Sequence, residues 1–191
     1  MRWRGFRKSN DGVAAVEFAL LLPLMISMFF GVVETSLALL CRADVSVMAS
    51  TAADLISQVN AASTTDIANV YAAAGTVLYP YYSGGSTGKP TIRITSVIYD
   101  TTSKSTTSGK VAWTCAQAGS GTLTPASRAV GDTVTLPQAL MTTNGSVIIA
   151  EVAYNYASPT TQVITGPINM TNNFYTKPRR IAQISAPSSC T

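Results

Sequence analysis

Apolar and polar residues divide this chain into two unlike parts. Phe18–Val33 (FALLLPLMISMFFGVV) carries no charged side chain, and between Asp11 and Arg42 the only charges are Glu17 and Glu34. A helix needs about 20 apolar residues to cross a bilayer, and residues 13–17 and 35–41 supply the missing length. Beyond Arg42 the pattern becomes one-sided. Val45, Met48, Ala52, Leu55, Ile56 and Val59 recur at spacings of three and four, while Arg42, Asp44, Ser46, Ser50, Asp54 and Ser57 fill the other face. Neither glycine nor proline occurs from 32 to 74, so nothing stops the helix early. The pattern predicts one helix over 13–60, membrane-spanning in its first half (about 13–40) and amphipathic in its second. From Val13 to Val59 it would run about 70 Å at about 1.5 Å per residue. Pro23 interrupts one helical hydrogen bond and reads as a tolerated membrane proline rather than a hinge.

The remainder, 61–191, alternates between short elements and turns. Ser63-Thr64-Thr65-Asp66 reads as a helix cap before a short helix ending near Tyr79. Tyr79-Pro80-Tyr81-Tyr82 opens a Gly/Ser-rich loop, and its tyrosines read as half-buried packing rather than an adhesive patch. Thr91–Tyr99 begins as a strand with Ile92 and Ile94 on one face and Arg93 and Thr95 on the other. Lys110–Gln117 is a second strand and Gly119–Thr135 a loop with a turn at Gly131-Asp132. Gln138–Thr142 reads as a single helical turn. Asn144-Gly145 is a strong turn signal before Ser146–Tyr156, the best strand in the chain. Arg180–Ser185 is expected to be the last strand. The fold class is α+β, a long N-terminal helix followed by a domain with an antiparallel sheet.

Composition narrows the chemistry. The 191 residues include no histidine, which removes imidazole bases, Cys-His nucleophiles and histidine-ligated zinc. Three cysteines without a CxxC pair hold no cysteine-only metal site. Lys104, Ser105, Ser108 and Lys110 lie too openly in a Ser/Thr turn to form a Ser-Lys dyad. Asp100 and Asp132 lack metal-loop spacing, and Gly84–Lys89 lacks the phosphate-loop spacing. No catalytic residue, metal or cofactor is expected. The net charge of +4 is concentrated: Arg2, Arg4, Arg7 and Lys8 against Asp11 leave nine basic and eight acidic groups for the rest. A folded basic face for nucleic acid is therefore not expected. Lys177, Arg179 and Arg180 form the one later basic run and read as a solvated turn beside Pro178.

A basic cluster before an apolar run is the positive-inside pattern, with the N-terminus cytoplasmic and the rest exported. A cleaved secretory signal fits poorly, since the apolar stretch continues to Cys41 with no A-x-A site close behind. A lipoprotein signal is excluded by Leu39-Leu40 before Cys41. A retained helix with a short leader remains. Its mark is Gly12-Val13-Ala14-Ala15-Val16-Glu17-Phe18, which resembles a prepilin-peptidase site: glycine before the cut, glutamate fifth after it, an aromatic sixth. A carboxylate inside an apolar helix needs a partner.

Three features together resemble TadE-like (TadE/TadG-like) proteins of the tight-adherence (Flp) pilus. They are the opening GVAAVEFALLLPLMISMFFGVVETSLAL, the Trp113-Thr114-Cys115 motif, and the stretch from Gly166-Pro167-Ile168 through Phe174-Tyr175 to Lys177-Pro178-Arg179-Arg180. The resemblance implies a minor pilin or pseudopilin, pilin-like in fold, that helps initiate or assemble the fibre and has no catalysis of its own. It implies cleavage after Gly12 and docking of Glu17 on the new α-amino group of a neighbour's Val13. The implied partners are the prepilin peptidase, other pilins and pseudopilins, the inner-membrane assembly platform and the lipid bilayer. Residues 1–12 would be the leader, 13–60 the helix and 61–191 a periplasmic domain, extracellular once in the fibre. In such a compartment Cys115 and Cys190 are candidates for a disulfide that ties down the C-terminal tail, leaving Cys41 as a buried thiol. The competing reading is a permanently anchored single-pass protein with an exported binding domain.

Overall fold

The structure, a computed structural model, describes residues 11–82, 84, 88–137, 140–188 and 190. Residues 1–10 of the basic leader, the loop tip at 85–87 and the start of the helical turn expected at 138–142 lie outside the described residues. Helix α1 (Asp11–Ser57) and helix α2 (Thr64–Thr76) precede five strands: β1 (Thr91–Tyr99), β2 (Ser108–Gln117), β3 (Thr133–Thr135), β4 (Ser146–Tyr156) and β5 (Ile168–Thr176). All neighbours are antiparallel, in the order β3-β2-β1-β4-β5. The fold is α+β, with one long apolar helix ahead of a five-stranded sheet.

Local chemistry explains most boundaries. Ser63 caps α2 through a reciprocal box: its hydroxyl accepts from the Asp66 amide, and the Asp66 carboxylate accepts from the Ser63 amide. Helix α2 ends at Thr76, three residues before the expected Tyr79, because the chain continues in tight turns toward Pro80. Asn144 adopts φ 59°, a left-handed turn residue, and delivers the chain into β4.

Two expectations fail. The stretch Arg180–Ser185 is not a strand. It is held by single contacts instead: Ala182 accepts from the Ser146 amide, Ile184 from the Trp113 indole at 2.8 Å, and Ser185 makes one bridge to Ala61. Pro178 and Pro187 bracket it, so a continuous ladder could not extend either way. The last strand is β5, which pairs with β4 along its whole length. Its sequence INMTNNFYT is polar because its asparagines bind outside the sheet: Asn169 pairs with the Thr122 backbone and Asn172 donates to Ser46 of α1. The other failure is β3, a three-residue strand inside the expected loop Gly119–Thr135.

The structure separates into two compact units. The larger holds Leu40–Tyr156 and Ile168–Thr191. There Cys41, Val45, Met48, Ala49, Ala52, Ala53 and Ile56 of α1 are buried, and Asn172 joins that part of the helix to β5. The sheet face shared with Asn172 carries Ile94, Ile148, Ala150 and Val152, all fully buried. The opposite face holds a second core of Val97, Val111, Val134, Leu136, Met141, Val147 and Ile149. The smaller unit comprises α1 up to Leu39 together with Ala157–Pro167, the connection between β4 and β5.

Candidate functional site

The first turns of α1 carry the expected processing residues in one continuous helix. Gly12, Val13, Glu17 and Phe18 are all exposed. Among the described residues Glu17 has no ion-pair partner. From Val13 to Val32 almost every large apolar side chain faces outward. The helix is long and apolar enough to cross a membrane, with mean hydropathy 2.2, and its most apolar window is unburied. Its hydroxyls are hidden in the helix itself. Ser27, Thr35 and Ser36 donate to the carbonyls of Leu24, Gly31 and Val32 at 2.7–2.8 Å. Such back-bonding removes donors that lipid could not satisfy.

Glu34, just beyond this exposed stretch, is fully buried. The β4–β5 connection wraps its carboxylate. Oε1 accepts the Thr160 hydroxyl and the Gln162 amide at 2.8 Å. Oε2 accepts the Val163 amide at 3.1 Å and the Ile164 amide at 2.6 Å. Successive backbone N–H groups forming a concave anion nest are a recognised way to hold a carboxylate. In the sequence Glu34 stands out only as one of the two charges between Asp11 and Arg42. Its partners are mostly amides, which every residue has, so no side-chain pattern marked them.

The profile of the TadE-like protein family matches residues 12–54, which is α1 but for its two ends. This helix is a TadE-like segment. The family implies a pilin-like protein associated with the Tad pilus, a structural rather than an enzymatic class, in company with other pilus components and a membrane. No curated protein and no solved structure matches the chain.

The other residues singled out from the sequence fall into place separately. Cys115 on β2 and Cys190 near the C-terminus are joined as a disulfide, with Cα atoms 5.1 Å apart, and Cys41 is a buried free thiol. Lys110 lies 3.7 Å from Asp100, and Ser105 bonds Thr107 in the turn. Arg179 pairs with Asp54 of α1 on the surface. Tyr79 is exposed, whereas Tyr81 stacks edge-on against Tyr156 at 5.7 Å.

The sequence did not reveal a buried ion cluster on the second sheet face. Glu151 is fully buried between two arginines. Arg93 Nε donates to it at 2.6 Å and Arg128 Nη2 at 2.7 Å. Arg93 also donates to the carbonyls of Pro125 and Ala126, at 2.8 and 3.1 Å, which fastens the 119–132 loop over the sheet. Burial alone would raise the Glu151 pKa, but the hydrogen bonds from Arg128 and Arg93 outweigh it and hold the carboxyl below its ordinary value.

Proposed function

We propose that this protein is a minor pilin or pseudopilin of a tight-adherence pilus, helping to initiate or assemble the fibre and catalysing nothing itself. The observation that carries the reading is the TadE-like match beginning at Gly12, on a continuous exposed apolar helix with Glu17 five positions into it. The basic leader holds the precursor with its N-terminus cytoplasmic. A prepilin peptidase cuts after Gly12, where glycine offers an unbulky backbone. The new α-amino group of Val13 then neutralises Glu17 of a neighbouring subunit, and the exposed apolar face of α1 exchanges lipid for other pilin helices. Residues 61–191 face the periplasm and later the exterior, where the Cys115–Cys190 bond persists.

The test is the intact mass and N-terminal sequence of the protein from cells with and without the prepilin peptidase. We expect a chain beginning at Val13 only where the peptidase is present. A chain beginning at Met1 in both strains would make Gly12 and Glu17 coincidental and leave a permanently anchored binding protein as the better account.

A further inference from the structure

The β4–β5 connection belongs to the compact unit of the apolar helix, and its own composition is unusual. Ala157–Pro167 (ASPTTQVITGP) contains no charged residue. Its centre is fixed on the helix by the four hydrogen bonds to Glu34. Val163 lies beside Gly31, with its Cγ2 at 4.0 Å from where a glycine Cβ would stand, yet remains 52% exposed. Gln162 and Val163 share an open groove of about 410 Å³ with Leu22, Pro23, Ile26 and Phe30. These helix residues come from the uncharged stretch that faces outward.

A loop in this position meets a strict requirement. Irregular backbone exposed to hydrocarbon is tolerated only where its polar groups are satisfied by protein. Glu34 supplies acceptors to three consecutive amides and one hydroxyl of the loop. The same contacts give a buried carboxylate the donors it requires. Length fixes the level. From Val13 to Val33 the helix spans about 31 Å at about 1.5 Å per residue, matching a hydrocarbon core of about 30 Å. Glu34 then stands at the far boundary, where the loop begins.

We propose that Ala157–Pro167 is a lipid-contacting strap. Clamped on Glu34, it lies at the outer headgroup boundary of the bilayer and turns Val163 toward the acyl chains, so that helix and strap together form one apolar surface. The proposal rests on the reading that α1 crosses a membrane. The occupant is lipid, because the groove continues the membrane-facing surface of α1 and no charge interrupts either wall.

The experiment uses the full chain with Trp3→Phe, reconstituted in phosphatidylcholine–phosphatidylglycerol vesicles. Single tryptophans are added as V163W, as M25W in the helix and as T102W in the exposed turn after β1. Lipids brominated near the headgroup or near the chain end serve as quenchers. V163W should lose roughly half its added emission to the shallow bromines, as expected for a residue about 5–10 Å below the headgroups. M25W should respond to the deep bromines and T102W to neither. Adding Glu34→Ala should abolish the response at 163 and spare the response at 25. Should V163W perturb the loop, Gln162→Trp reports from the adjacent exposed position. Quenching at 25 without quenching at 162 or 163 would overturn the strap and leave the membrane helix intact. No quenching at 25 would overturn both. Shielding of position 163 only in assembled fibres, with none in vesicles, would assign the groove to a second subunit and overturn the lipid proposal.

Discussion

Glu34 and Glu151 are both withdrawn from water, and each is held by groups distant in sequence. Their partners differ in kind. Glu151 meets two guanidinium groups inside a sheet domain, so its removal strands charge. Glu34 meets three amides and a hydroxyl on a loop, so its removal strands neutral donors that can turn to water if the loop lifts. The first arrangement resists unfolding of a core. The second decides where one loop lies along one helix. A buried carboxylate is thus a stability device in one place and a positioning device in the other, and the difference lies in the charge of the partners rather than in the depth of burial.

The largest effect expected from this contrast is at Glu151. Glu151→Ala should destabilise the full chain in detergent micelles by about 3–5 kcal/mol, the usual result of breaking a buried ion pair from one side. Denaturant titration followed by Trp113 emission in the Trp3→Phe background reads it, because the Trp113 indole is buried and bonded to Ile184. A midpoint shift no larger than that of a surface-cap variant would show that both arginines find other acceptors. The pH dependence has a definite sign. The folded carboxyl lies below its ordinary value, so its contribution is complete above the unfolded-chain value near 4.3 and is lost as pH falls through the depressed folded value. The unpaired arginines of Glu151→Gln should lower stability at neutral pH and flatten that acid slope.

What the sequence made legible follows from what periodicity encodes. Helix α1, the Ser63 cap, β1, β2 and β4 were readable because side-chain pattern and capping chemistry are local. Arg93 was rightly placed opposite Ile92 and Ile94, but alternation says nothing about whether the polar face is covered. Here the loop around Pro125 and Ala126 covers it and Arg93 is buried. Strand β5 was invisible because asparagine is a poor strand former, and its roles are contacts to Thr122 and Ser46. Gly12 to Phe18 were readable as a motif. The Glu34 clamp was not, since amides carry no residue signature.

A middle-sized and more local effect is expected at Glu34. Glu34→Ala should speed hydrogen exchange at Gln162, Val163 and Ile164 by roughly tenfold, the scale of one lost buried hydrogen bond. The Trp113 unfolding midpoint should move little, because the loop belongs to a different compact unit from the sheet that holds Trp113. Glu34→Gln keeps one acceptor oxygen and should fall between. If the midpoint instead dropped as far as in Glu151→Ala, Glu34 would be a core residue and the contrast would collapse.

The smallest effect calibrates the others. Asp66, like Glu34, is a carboxylate on backbone and hydroxyl donors, but it sits in water at the start of α2. The Ser63 hydroxyl and amide hold its carboxyl below the ordinary range. Ser63→Ala removes one donor and one acceptor of that box and should cost about 1 kcal/mol. It should also let the Asp66 pKa rise toward its usual value, which carboxylate NMR titration would show. This sets what a hydroxyl contributes, bonded to a carboxylate and to an amide, where solvent competes. The exchange at 162–164 should respond more strongly to loss of Glu34 than the first turn of α2 responds to loss of Ser63. Equal responses would mean that water reaches the Glu34 clamp as freely as the Ser63 cap, and would remove the reason for treating the loop as part of an apolar surface.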